Sequence, residues 1–188
     1  MNNPQSFQEL LFETAVREGT ESFQTLLKKY AEEKFYGICL YTNNDLRGVY
    51  PFANSVQGLK RRGLDDEEKW IPAEWDLKFE EGNTEQMEET TSLLVVASNE
   101  YAEQSDQATE KYGDRSQFKA ETIKTLSRAL LAIREAGLFR EQAIHDRIAF
   151  WVHIGDSDGE ERKLMFAPVV EHLDKGDVKE LRELFEFE

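Results

Sequence analysis

Apolar positions near the start of the chain recur at helical spacing. Phe7, Leu10, Leu11, Thr14 and Ala15 form one stripe, and Phe23, Leu26, Leu27, Tyr30 and Ala31 continue it, which predicts helix over 5–33. Gly19-Thr20 falls between the two halves. Glycine in a helix interior costs about 1 kcal/mol relative to alanine, so a kink or short break is expected there, with Thr20 capping the second piece. The pattern then changes. "KFYGICLYT" at 34–42 is apolar on both alternating faces, with Phe35, Gly37, Cys39 and Tyr41 on one and Tyr36, Ile38 and Leu40 on the other. Such a strand lies in the middle of a sheet covered on both sides. "NNDLRG" is turn chemistry, and "VYPFA" at 49–53 is the returning strand. Pro51 has no N–H to give a ladder, so this strand is expected at a sheet edge or to stop near the proline. Asn54 or Ser55 then caps a short helix running through Leu59 and Arg62.

Further along, "WDLKF" at 75–79 alternates Trp75, Leu77 and Phe79 with Asp76 and Lys78, a half-buried strand pattern. From Thr84 a long helix is expected, because Met87, Leu94, Tyr101 and Ala108 fall seven apart with Ala97 on the same stripe. "KYGDRSQ" breaks it. A second helix follows from about Ser116 to Ala136, with Phe118, Ile123, Leu126, Leu130 and Ile133 inward and Gly137 as its C-terminal cap. "FREQAIHDR" adds a turn or two, and "IAFWVHI" at 148–154 is a compact strand. "DSDGEERKLMF" opens a helix, with Ser157 and Glu160 at capping-box spacing and Pro168 interrupting it; a last helix starts at about Asp177. These elements define an α+β fold: one domain over 1–188, with a small, mainly antiparallel sheet of three to four strands packed against several helices. The strand at 148–154 must insert beside strands formed early, at a position the pattern does not specify.

Composition narrows the function classes. Acidic residues number 38 and basic residues 23, a net charge of −15. That surface repels phosphate backbones and anionic headgroups, so neither a nucleic-acid nor a membrane partner is expected. The one basic run, "LKRRG" at 59–63, is followed by "DDEE". A basic protein partner suits the charge better. Cys39 is the only cysteine, which excludes an internal disulfide and suits a reducing, cytosolic compartment. No segment approaches the ~20 apolar residues of a membrane helix.

Reactive chemistry is harder to find. His145, His153 and His172 have no zinc-protease spacing, and one cysteine cannot build a thiolate cage, so no metal or other cofactor is expected. A calcium loop with Asp158 ahead of Gly159 would place its end ligands on Ile154 and Met165, neither of which can coordinate. Cys39 lies within the most apolar strand, where a thiol acts as a small hydrophobe. Neither a nucleophile elbow nor a phosphate loop occurs, and close acid pairs such as Asp65-Asp66 are too common in so acidic a chain to signal catalysis. What stands out is a pair of aromatic, proline-bearing corners. One carries Arg47, Tyr50, Pro51, Phe52 and Asn54; the other carries Trp70, Pro72, Glu74 and Trp75. Two readings stay open. Large aromatics beside arginine anchor protein interfaces; the same residues also pack into core corners.

"FYGICLYTNNDLRGVYPFANSVQGLKRR", "KWIPAEW", the later "LFR" and "GDSDGEER" together resemble a bacterial family catalogued as domain of unknown function 4303, over about Leu10 to Phe166. The pieces at 50–54 and 70–75 are its more specific parts. The resemblance implies no activity and transfers no catalytic residue. In size such families are similar to small immunity proteins that neutralise secreted toxins. The expected function is therefore a non-enzymatic, cytosolic protein-binding module, toxin neutralisation being one form. The candidate interface is Arg47, Tyr50, Pro51, Asn54, Trp70, Glu74 and Trp75. A small-molecule enzyme with an unfamiliar site and a structural subunit of a homo-oligomer are the alternatives.

Overall fold

The computed structural model describes residues 6–63, 68–75, 77–78, 87–139, 148–157, 159–170 and 175–185. The chain opens with helix α1, Phe7–Lys29, started by a capping box in which Ser6 Oγ accepts from the Glu9 N–H and Glu9 returns a carboxylate to the Ser6 N–H. The expected break at Gly19-Thr20 is absent, and α1 is one continuous helix. The reason is tertiary. A Cβ on Gly19 would lie 2.8 Å from Ile133 Cδ1, so the glycine lets α1 approach helix α5, Arg115–Glu135. Thr20, instead of capping, donates its hydroxyl to the Val16 carbonyl at 2.6 Å.

Strand β1, Phe35–Thr42, and strand β2, Val49–Ser55, form an antiparallel pair in which Tyr41 faces Tyr50 and Cys39 faces Phe52. Strand β3 is described over Leu77–Lys78, which pairs with Phe52 and Ala53 of β2. Strand β4, Ala149–Ile154, runs parallel to β1 on its other side, from Gly37 opposite Ala149 to Thr42 opposite Ile154. The order is β3-β2-β1-β4. The α+β class holds. The expected mainly antiparallel sheet is a mixed one, with three full strands and a two-residue edge. The crossover through α5 brings the chain back to its starting end, so β4 enters parallel. Pro51 stands opposite Leu40, and β3 pairs with β2 only beyond it, which leaves no ladder partner waiting for the missing N–H among the described residues.

β1 is buried on both faces, as its composition predicts. Ile38, Leu40, Val49, Ala53, Phe150 and Val152 join α1, α5 and helix α3, Glu88–Glu103, in the larger core. Cys39 and Trp151 face a second, aromatic core with Trp70, Trp75, Met165 and Phe166. A bulge between Phe35 and Gly37 reverses the alternation there, so Phe35 enters the larger core and Tyr36 the aromatic one.

The long helix expected from Thr84 is two helices, α3 and α4, Ser105–Tyr112, separated at Gln104; residues 84–86 lie outside the described ones. No local side chain caps α3. Glu18 of α1 does so instead, accepting from the N–H groups of Glu89 and Thr90 at 2.9 Å each. Helix α2, Val56–Arg62, is capped by Ser55, whose Oγ accepts the Gly58 N–H at 2.8 Å. After α5, Gly137 takes φ 82° and donates its N–H to the Arg134 carbonyl. The extra turns expected in "FREQAIHDR" lie almost wholly outside the described residues. Helix α6, Gly159–Val170, runs on past Pro168. The Ser157–Glu160 capping box expected at its start turns on residue 158, which lies outside the described residues; the Glu160 carboxylate lies 3.1 Å from Lys163 Nζ. Helix α7, Lys175–Phe185, closes the described chain. No described helix is long and apolar enough to cross a membrane.

Candidate functional site: two ends of the sheet

The two motif corners occupy opposite ends of the sheet, so the seven candidate interface residues do not form one patch. Because β1 and β2 are antiparallel, Tyr50 stands beside Tyr41 at one end, and Ser55 stands beside Phe35 at the other.

Asn54, Trp70, Glu74 and Trp75 belong to the second end. Asn54 is fully buried, Trp75 is fully buried and Trp70 is 2% exposed. Asn54 Nδ2 donates to the Tyr36 hydroxyl at 2.8 Å, and the Tyr36 hydroxyl donates to the Lys69 carbonyl at 2.9 Å. Trp75 Nε1 donates to that same carbonyl at 3.0 Å. Asn54 Oδ1 accepts the Ser55 N–H at 2.9 Å. The segment Glu68–Trp70, Pro72–Glu74 forms two 3₁₀ turns rather than leading straight into a strand, since the Trp75 indole binds a carbonyl six residues back and curls the chain. The rings of Trp70 and Trp75 meet Trp151 edge-on at 6.1 and 5.1 Å. Burial drives the Tyr36 phenol far above its ordinary range, the Asn54 hydrogen bond opposing it, and keeps it a neutral donor. This corner therefore joins sheet to loop, and its tryptophans are not on the surface. Glu74 is half-buried and lies 3.7 Å from Arg62.

The first end holds Arg47, Tyr50 and Pro51. Pro51 is buried, Tyr50 half-buried and Arg47 exposed. Here the carboxyl ends of the parallel strands β1 and β4 release two loops. Each contains a non-glycine residue in the left-handed region, Leu46 at φ 54° and Asp156 at φ 55°. Burial of the Leu46 side chain, 3% exposed, offsets its strain. The loop is tied on all sides. Asn43 Oδ1 accepts the Arg47 N–H at 2.7 Å, Ser98 donates to the Asp45 carbonyl at 3.0 Å, Arg115 pairs with Asp45 at 3.1 Å, and Lys119 joins Asn44 to Glu161.

Inside this end three strands present a stack of rings. Phe52 lies 5.2 Å from Tyr41, and Tyr41 lies 5.6 Å from His153, each nearly parallel; Phe185 of α7 closes on His153 at 6.1 Å. His153 is 8% exposed, and its Nδ1 has no hydrogen-bond partner among the described residues. Burial pushes its pKa down to about 4, so the ring is neutral at pH 7. Burial, with Asp156, Cys39 and Tyr50 nearby, pushes the Tyr41 phenol up. Burial likewise raises the Cys39 thiol well above its ordinary value, which removes the thiolate a nucleophile needs. His145 and His172 lie outside the described residues. Among the described residues no group of three or more His, Cys, Asp or Glu side chains is placed to hold a metal ion.

The pattern of residue types did not point to Tyr36, Lys69, Tyr41 or His153. Lys69 was findable in principle, because it precedes the Trp70 motif and Asp177 and Glu180 share one helical face. The distance between those segments in the chain hides their contact.

A mixed sheet between two helical layers, one core aliphatic and one aromatic, defines the class: an α+β protein whose specific motifs lock a loop to a sheet. The chain belongs to the family described as Domain of unknown function (DUF4303), whose model matches residues 17–168. No curated protein and no solved structure matches it. The family segment contains both ends of the sheet and stops short of α7.

Proposed function

We propose that the protein acts by affinity, as a cytosolic module that captures a basic protein partner on the ridge formed by α3 and α4. One observation carries this reading: four acids on the ridge, Glu88, Glu103, Asp106 and Glu110, are exposed and have no cationic partner among the described residues, and α3 also exposes Val96. Val96 is 55% exposed, more than any other large apolar side chain described. Glu89, Glu100 and Glu103 fall seven before, four after and seven after it, on one helical face. Unpaired like charges repel one another, and a cationic surface relieves that repulsion on docking. An apolar anchor inside a charged rim is the arrangement that gives fast, salt-sensitive association. Burial of Cys39, the single thiol, suits a reducing compartment. Toxin neutralisation is the special case in which the captured protein is a toxin.

The test is paired capture from native extract, with wild type and a Val96→Asp/Glu103→Lys/Asp106→Lys variant on parallel columns. The expected result is a basic protein retained by wild type, released by salt, and missing from the variant column. Equal retention on both columns, or retention indifferent to salt, overturns the assignment.

A further inference from the structure

The body of the protein meets α7 with hydrogen-bond donors. Lys69 Nζ binds Asp177 at 3.0 Å and Glu180 at 3.4 Å, while its ammonium sits 4.4 Å from the centre of the Trp70 ring. Trp70 Nε1 donates to Glu180 Oε2 at 3.1 Å. Arg162 Nη1 donates to the Phe185 carbonyl at 3.3 Å. In each of these bonds the acceptor belongs to α7. Within a chain of net charge −15 this is a local cationic, donor-lined rim.

Apolar contact inside the rim rests on a few side chains. Leu181 is buried, and Leu184 and Phe185 are half-buried. Phe185 lies 4.6 Å from Phe166 and 6.1 Å from His153. The cluster beneath also leaves two buried nitrogens on one face of β4, Trp151 Nε1 and His153 Nδ1, without a hydrogen-bond partner among the described residues. Buried polar atoms left unpaired cost free energy, and an occupant that brings polar groups to them recovers it. The face lies inside the family segment, 17–168, whereas its present cover lies outside.

We infer that the face bounded by Lys69, Trp70, Arg162, Phe166 and His153 is a docking surface for an amphipathic helix of a partner protein with carboxylates on its contacting face, and that α7 is the resident occupant such a helix displaces. The chemistry of the occupant follows from α7 itself: carboxylates spaced to reach Lys69 and the Trp70 indole, with a leucine and an aromatic on the adjacent positions. The surface is separate from the α3–α4 ridge, and either can fail without the other.

The experiment keeps the full chain and releases α7 in place with a Glu180→Lys/Leu181→Asp variant. The probe is a fluorescent peptide of residues 175–185 with the native sequence. Polarisation is expected to show peptide binding to the released variant and none to wild type, whose tethered helix outcompetes it. Adding Lys69→Glu, or reversing Glu180 in the peptide, is expected to weaken binding about 10-fold or more, the order of one lost charged hydrogen bond. No binding to a released variant with native circular dichroism overturns the inference, as does equal binding of the charge-reversed peptide. Should the variant not fold, hydrogen exchange on wild type decides. Amides of α7 are expected to exchange through a local opening, faster than those of β1, and exchange only through global unfolding refutes displacement. A dimer formed by exchange of α7 between copies, seen by sedimentation, would replace the partner helix with a second copy and overturn the partner assignment.

Discussion

Replacing His153 by phenylalanine is expected to flatten the dependence of stability on pH between 7.5 and 5.5. The histidine ring stacks on Tyr41, meets Phe185 edge-on and is held neutral by burial, with a pKa of about 4. In the unfolded chain the same ring titrates near its ordinary value of 6.5. The sign follows from proton counting. Below 6.5 the unfolded chain takes up a proton that the folded chain refuses until about pH 4. Lowering the pH therefore favours unfolding, and the contribution is fully present only above 6.5. At pH 5.5 the loss relative to 7.5 is about 1.3 kcal/mol, and it grows to about 3 kcal/mol once the pH is below the folded value. Phenylalanine keeps the stack and has no orphan nitrogen, so the variant is expected to be at least as stable at pH 7.5. Urea unfolding followed by circular dichroism at both pH values gives the comparison, and subtracting the variant cancels carboxylates and the other two histidines. Both conditions stay above the pI of about 4.7. Parallel losses in the two proteins, agreeing within about 0.3 kcal/mol, would show that His153 is not held neutral and would refute the reasoning.

Three further outcomes follow from the same geometry. Asn54→Ala strips the Ser55 N–H of its acceptor and the Tyr36 hydroxyl of a donor, and is expected to cost about 1–3 kcal/mol in urea unfolding. Gly37→Ala places a Cβ 2.8 Å from Trp75 Cη2 and 3.4 Å from Trp151 Cη2, which should shift the near-ultraviolet tryptophan spectrum and destabilise by about 1–3 kcal/mol. Cys39, buried and with its thiol held protonated, is expected to resist iodoacetamide in the native state and to react fully in denaturant; rapid native labelling would contradict its placement.

Legibility in the sequence tracked how local each cause is. The double apolar face of 34–42, the Ser55 cap and the Gly137 stop depend on neighbours a few residues away, and all three were readable. The continuity of α1 was not, because the reason for Gly19 is Ile133, more than a hundred residues on. The start of α3 lacks any local cap and depends on Glu18. The parallel entry of β4 and the bulge that swaps Phe35 with Tyr36 are matters of register, which hydrophobic alternation alone leaves free. At the candidate site, the motif "WIPAEW" can be read as anchor or as core, and the residue types alone do not choose. Both tryptophans are buried, and two hydrogen bonds converge on the Lys69 carbonyl, from Trp75 and from Tyr36, which Asn54 in turn holds.

Charge alone therefore does not distinguish the acidic surfaces of this protein; pairing does. The α3–α4 ridge is acidic, and α7, though it carries as many bases as acids, turns two carboxylates toward the body. On α7, Asp177 and Glu180 are taken up by Lys69 and the Trp70 indole, so their charge is spent inside the molecule. On the ridge, Glu89 and Glu100 are matched by Arg17 and Lys111, while Glu88, Glu103, Asp106 and Glu110 face solvent unmatched among the described residues. Exposed pairs of the first kind contribute little to stability. Glu88 and Asp106 stand in the first turns of α3 and α4, where a negative charge favours the helix, whereas Glu103 and Glu110 stand in the last turns, where it does not. An external cation on the ridge would meet charge that no described cation neutralises. The same accounting marks the opposite case under α7, where the body supplies the donors and a replacement helix must supply the acids.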